Sequence, residues 1–340
     1  MSGGLKNLRR RDFLRLASLA GIGLAIPLVR LAAPALQGRQ EFQRSKDSLG
    51  TVVTIKVDDP LSPEAAQAAI SDSFAEIDRL ESLLSRFIPG SPVSLLNLKS
   101  YIPRPAPEVV DVFRTATSFS ELSEGSYDVT VLPALNLFLS FAGGANLPTD
   151  EQFEQAKKLI DFEKVDVSSS QVSLTASGMG VTLDCVGKGW ILDRIANRLK
   201  ERGIRSALVQ GGGSFRAVGV RGDGAPWTIG ILDPLNQVTT IGTVYLNDSA
   251  VTTSGDYENF FTADKKFYHI VDPGTARSPL YSHSATVTAP LAAQADPIGV
   301  ASMVKSPQEA LSMIESVKGC ECMIVTRDRG IIKSSNFGRY

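Results

Sequence analysis

The sequence predicts an α+β fold, a single compact domain of mixed β-sheets with flanking helices. Three observations carry this. Strand-like and helix-like segments follow one another without a strict βαβ alternation. Short apolar segments separated by Gly, Asp and Pro dominate from Ala207 to Val251. After residue 40 there is no repeat, heptad run or low-complexity tract, and no composition shift marks a domain boundary.

The elements follow in order. LGTVVTIKV, Leu49 to Val57, is β-branched, bounded by polar residues, and reads as a strand. Ser62-Pro63-Glu64 opens a helix with Ser62 as N-cap and Pro63 at the first helical position; Ala66, Ile70, Phe74, Ile77, Leu80 and Leu84 form its apolar stripe. SRFIPGSPVSLLN, residues 85–97, reads as a loop. A second helix runs from Pro107 to Leu122 with Val109, Val112, Phe113, Ala116 and Phe119 inward, followed by GSYDVTVLPALNLF at 125–138. Asp150 caps a short helix through Ile160. VDVSSSQVSLTASGMGVTL then alternates as a β-meander ending in a strand at Val181 to Leu183. A helix from near Gly187 to about Glu201, the strands of 207–251, and a capped helix in SPQEALSMIESV with strands after it complete the chain.

Of 340 residues, 43% are hydrophobic, 21% charged and three are Cys, which excludes disorder, collagen and disulfide scaffolds. Residues 1–35 form a basic region, an apolar stretch from Leu16 to Val29 and a small-residue site Ala33-Pro34-Ala35, the layout of a cleavable signal peptide. RRRDFLR, Arg9 to Arg15, resembles the twin-arginine export motif, an address read by a receptor. The alternative, a membrane anchor, is opposed by Gly21, Gly23, Pro27 and Arg30 within the run, and no second segment of spanning length follows. The division expected is a signal peptide over 1–35 and one catalytic domain over 40–340. The expected location is the periplasm, reached already folded after transient contact with the export machinery, with no stable membrane span in the mature chain.

The signal holds Lys6, Arg9, Arg10, Arg11, Arg15 and Arg30 against Asp12, so the remaining body carries a net charge of about −6. Such a body has no cationic surplus with which to neutralise a phosphate polymer, and nucleic acid is not an expected partner.

Few residues carry obvious chemistry. Cys185, Cys320 and Cys322 suit small buried residues, and three Cys with two His make no metal cage. VGKGW at 186–190 and QGGGSFRAVG at 210–219 are glycine turns whose N–H groups either bind phosphate or only turn the chain; Lys188 is placed to add a positive charge to an anion site. Thr182 and Asp184, two apart on the expected strand, share one face, where Asp184 serves a ligand or metal or caps the next helix. His269, at the end of an expected strand beside Asp272-Pro273, is either structural or a proton-transfer and phosphate-contact group. Asp296 in AAQADPIGV is an N-cap or a metal ligand.

Together these segments resemble the ApbE family, the FAD:protein FMN transferases, in unbroken order from Leu49 to about Val304. The motifs are LGT at 49–51, SRFIPGSPVSLLN at 85–97, GSYDVTVLPALNLF at 125–138, VTLDCVGKGWILD at 181–193, GGSFRAVG at 212–219, TSGDYENFF at 253–261 with HIVDPGT at 269–275, and ADPIGVAS at 295–302. The resemblance implies an α+β enzyme that binds FAD and Mg²⁺, transfers FMN to a Thr hydroxyl of a target flavoprotein, and releases AMP. It also implies that Phe87 and the Ser126-Tyr127-Asp128 turn line the flavin and nucleotide pocket, and that Lys188 and Val271 contact FAD. The metal is then held by the main-chain carbonyl of Cys185 and the carboxylate of Asp296, with FAD phosphates completing an oxygen-rich shell that suits Mg²⁺. His269 is the expected phosphate contact or acceptor of the Thr proton, with Asp272 orienting its segment.

Three positions depart from the family pattern. Thr182 stands where an acidic residue is usual, and Asp184, on the same expected face, is placed to compensate. Val300 replaces a metal-ligating Thr four residues after Asp296, and a methyl cannot ligate Mg²⁺. The usual DPRTG is Asp272-Pro273-Gly274-Thr275-Ala276 here, without the Arg and the final glycine. The alternatives are a periplasmic FAD-binding or FAD-hydrolysing relative, or an assembly factor for an exported redox complex.

Overall fold

A computed structural model of the chain describes residues 41–142 and 147–338; the signal-peptide reading at 1–35 lies outside the described residues. In chain order the elements are β1 (Phe42–Ser48), β2 (Thr51–Val57), α1 (Pro63–Leu84), α2 (Pro92–Lys99), β3 (Tyr101–Pro103), α3 (Pro107–Leu122), α4 (Leu132–Phe141) and α5 (Asp150–Lys157). They continue with β4 (Val165–Val167), β5 (Gln171–Leu174), α6 (Val186–Glu201), β6 (Ala207–Gly211), β7 (Ser214–Val218), β8 (Trp227–Leu232), β9 (Thr240–Leu246) and β10 (Ala250–Gly255). The last are β11 (Ser282–Ala289), α7 (Ala292–Val304), α8 (Pro307–Glu315), β12 (Glu321–Thr326) and β13 (Ile331–Lys333). The fold is α+β, and every strand pair among the described residues is antiparallel.

The chain divides into two compact units whose segments interleave. The first holds Ser82–Leu183 and Asp256–Leu280; the second holds 41–81, Asp184–Gly255 and 281–338. Because each is assembled from separated stretches, no linker marks a boundary in the sequence.

The first unit is mostly helical, with α2 to α5 and the small sheet β3-β5-β4. Its core joins Leu135, Phe138 and Phe141 of α4 to Phe153 of α5 and to Phe261, Val271 and Ala276 from the late segment. Phe138 meets Phe141 and Phe153 edge-on, the geometry favoured by ring quadrupoles.

The second unit is built on an eight-stranded sheet in the order β1-β2-β6-β7-β10-β11-β12-β13, beside the hairpin β8-β9. β8 alternates buried and half-buried residues, and Trp227, Ile229 and Ile231 enter a core with Val244, Leu246 and Met323. α6 and α7 cross closely at Gly189: a Cβ there would collide with the Ala292 carbonyl and sit 2.9 Å from the Ala293 nitrogen.

Several local expectations change. Leu49 is not in a strand; Leu49 and Gly50 both have positive φ and form the two-residue turn of the β1-β2 hairpin, as a type I′ turn demands. The stretch 85–97 is not all loop, because Ser91 caps α2 by accepting from the Ser94 N–H and Pro92 is pre-organised at the first helical position. Thr149, not Asp150, caps α5, in a reciprocal box with Gln152, and the helix ends at Lys157. No strand forms at Val181 to Leu183. The Asn97 side chain takes both backbone groups of Val181, at 2.7 and 2.9 Å, and the Thr182 N–H donates to the Val129 carbonyl at 2.8 Å. Thr182 and Asp184 therefore share no strand face.

Candidate functional site

In the second unit, α6 begins at Val186 with Cys185 at the N-cap position, and the exposed Asp184 stands one residue before it. The first turn of α6 carries no acidic side chain, and Lys188 lies in it, so N–H groups and an ammonium gather at one helix start. The Lys188 N–H donates to the Cys185 carbonyl at 3.0 Å, which leaves that oxygen a second lone pair. QGGGS is a hairpin turn between β6 and β7, with Gly212 at positive φ.

Asp296 lies inside α7, not at its start. The N-cap is Leu291, and the free N–H groups of Ala292 and Ala293 donate instead to Asp193 of α6, at 3.0 and 2.8 Å. Asp193 also accepts from Arg216 Nε at 2.9 Å, so a buried ion pair clamps the start of α7. The Asp296 carboxylate is 3% exposed. Its Oδ1 accepts from Ser214 Oγ at 2.7 Å and Thr252 Oγ1 at 2.5 Å, whereas its Oδ2 is buried without a hydrogen-bond partner. Burial, and next the charge of Asp296, push the Cys185 thiol well above its ordinary range, with Lys188 opposing; these groups share one electrostatic neighbourhood.

Among the described residues no cluster of three or more His, Cys, Asp or Glu could hold a metal. A cation at Asp296 would therefore draw on main-chain and ligand oxygens. An unpartnered buried carboxylate oxygen is the kind of donor that fits a hard divalent ion. Val300, one turn further along α7, offers only methyl groups.

In the first unit, Phe87 is half-buried on the loop after α1, with the Arg86 guanidinium 4.0 Å from its ring centroid. Ser126 is half-buried and Tyr127 buried in the turn after α3, where Glu124 and Gly125 have positive φ. Asp128 is committed internally. Its Oδ1 accepts from the Thr130 N–H and hydroxyl, at 2.7 and 2.6 Å, and its Oδ2 from the Phe162 N–H at 2.9 Å. Burial nevertheless pushes its carboxyl up to about 6, against those hydrogen bonds.

His269 is half-buried in an irregular segment, not at a strand end, and its N–H donates to the Asn259 carbonyl at 2.8 Å. Asp272 spends its carboxylate on its own turn, accepting from the Gly274 N–H and the Thr275 hydroxyl, both at 2.8 Å. Ala276 has φ +56°, so the backbone still demands what a glycine would supply. Val271 is packed into the apolar core, which leaves its backbone as the available contact. Arg277 faces Asp150 at 2.5 Å and Phe153 at 4.2 Å.

The second unit thus gathers Cys185, Lys188 and Asp296, and the first holds Phe87, Ser126, Tyr127, Asp128, Thr182, His269, Val271 and Asp272. Sequence reasoning missed Ser214, Thr252, Asp193 and Arg216. No local signal could have joined Asp296 to hydroxyls 82 and 44 positions away.

Residues 49–324 match the ApbE family. The FAD:protein FMN transferase of Vibrio cholerae is 29% identical over 323 residues, 90% of this chain and 94% of that one. The enzyme of the same name from Escherichia coli strain K12 is 29% identical over 271 residues, 76% and 77% of the two chains. The crystal structure of the ApbE protein of Thermotoga maritima superposes with a TM-score of 0.79 at 26% identity, covering 88% of this chain and all of that one. With one family match running through seven ordered motifs, and the same fold recurring along a solved member, this chain belongs to the ApbE family.

Proposed function

We propose that this protein is an FAD:protein FMN transferase that moves the FMN half of FAD onto a Thr hydroxyl of a periplasmic or membrane redox protein, releasing AMP. The observation that carries the reading is the buried Asp296 carboxylate, tied by one oxygen and unpartnered at the other, with its charge and that of Lys188 both felt at Cys185. Mg²⁺ would be held by Asp296 and the Cys185 carbonyl, with FAD phosphate oxygens, and when bound it supplies neutralisation of pyrophosphate charge. Lys188 and the start of α6 attract the same phosphates. Phe87, Ser126, Tyr127, Thr182, Asp184 and the Val271 backbone contact FAD, and Asp128 shapes the turn that carries Ser126 and Tyr127.

The Thr oxygen bonds to the phosphorus of the FMN half, the bridging P–O bond breaks toward AMP, and the Thr proton leaves. His269 contacts the phosphate or accepts that proton, and Asp272 holds its loop. The twin-arginine-like Arg9 to Arg15 supports periplasmic location by that export route. Among the described residues no helix is long and apolar enough to cross a membrane.

Val300 favours a second reading, a FAD-binding or FAD-hydrolysing relative. The test mixes the protein with FAD, Mg²⁺ and a candidate flavoprotein domain, and looks for FMN on the target by mass spectrometry and AMP by chromatography. Modified target with AMP is expected. AMP without modification would identify a hydrolase, and bound FAD with neither product would identify a binder.

A further inference from the structure

Ser214 opens β7 and Thr252 lies in β10, and the two are direct cross-strand partners, so their side chains share one face of the sheet. α7 lies against that face because Gly299 permits it: a Cβ there would sit 3.3 Å from Thr252 Cγ2 and 3.0 Å from Ser254 Oγ. This approach delivers Asp296, less than one turn earlier on α7, to both hydroxyls.

The three oxygens form a tight triangle, with Ser214 Oγ 2.7 Å from Thr252 Oγ1, and 2.7 and 2.5 Å from each to Asp296 Oδ1. Each hydroxyl has one proton, so two protons serve three contacts. Whichever way they point, none reaches Oδ2, which is sealed from water and unpartnered. Two neutral donors on one oxygen do not offset the charge of a buried carboxylate. They do fix its rotamer and reserve its second oxygen.

We propose that Ser214 and Thr252 are positioning residues, a two-hydroxyl clamp that holds Asp296 by one oxygen and presents the other as a single carboxylate donor to a divalent cation. The proposal rests on the reading of Asp296 as a metal ligand. Mn²⁺ is the probe, titrated into the full chain with saturating FAD and followed by loss of the free-ion electron paramagnetic resonance signal. Thr252→Val and Ser214→Ala are each expected to weaken Mn²⁺ binding about 10- to 100-fold, the usual effect of removing a group that orients a metal ligand. Thr252→Ser, which keeps the hydroxyl, is expected to bind as the natural protein does.

Equal weakening by Thr252→Val and Thr252→Ser would assign the effect to packing and overturn the clamp. Unchanged binding in Thr252→Val and Ser214→Ala, with loss in Asp296→Asn, would overturn the clamp and keep Asp296 as ligand. Unchanged binding in Asp296→Asn, or none in the natural protein, would overturn both. Circular dichroism checks that each variant folds, and Ser214→Ala carries the comparison if Thr252→Val does not.

Discussion

Asp128 in the first unit and Asp296 in the second are both buried, at 6% and 3% exposure, yet they are built oppositely. Asp128 has both oxygens occupied by three donors from residues 130 and 162, and the carboxylate closes a turn. Asp296 has two donors crowded on one oxygen and none on the other. A third buried carboxylate, Asp193, receives two helix N–H groups and a guanidinium. Burial alone does not distinguish a structural carboxylate from a ligand. The count of donors on each oxygen does, because an oxygen sealed from water and left unpaired carries a desolvation cost that a bound cation would relieve.

The largest effect that sharpens this contrast is Asp193→Ala. It removes the nearest carboxylate of the buried Arg216, leaving only Asp248 at 3.5 Å, and uncaps the start of α7, so urea denaturation should show a loss of about 3–5 kcal/mol. Asp296→Asn should behave oppositely. AMP release should fall by roughly 10²-fold or more, the scale of losing one preorganised charge-stabilising group, while the unfolding midpoint without metal is no lower. A marked loss of stability there would place Asp296 with the structural pair and break the comparison.

Asp128 supplies a pH test. Its folded value of about 6 lies above the ordinary carboxylate value. The folded state therefore binds the proton more tightly, and this group's contribution to stability is full below about pH 4 and is lost as pH rises through 6. Unfolding free energy should rise by about 2 kcal/mol from pH 7 to 4.5 through this group. The slope, read against Asp128→Asn, should flatten in the variant. The smallest effect is expected from Thr130→Val, which removes a hydroxyl that donates to Asp128 and accepts from the Asp161 N–H at 2.7 Å. It should cost about 1–2 kcal/mol in urea denaturation. The same change at Thr252 is expected in metal affinity instead.

Much of the fold was legible because its signals are local. Pro107–Leu122 is the helix that its apolar spacing predicts, and Ser306 with Glu309 forms the box that opens α8. At two places where a local reading failed, a distant group had replaced the expected partner. Val181 to Leu183 alternates like a strand, but the Asn97 amide took the backbone groups that a neighbouring strand would need. Asp296 reads as an N-cap in sequence, but Asp193 already fills that role.

What the sequence determined by itself was the α+β class, most of the helices, the family, and the residue types available for chemistry. These follow from periodicity, caps and ordered motifs, all carried by short stretches of chain. Only the tertiary structure decided which buried carboxylate is complete. That depends on β7, β10 and α7 meeting at Ser214, Thr252 and Gly299, and hydrogen-bond satisfaction is a property of the assembled environment, not of any one segment.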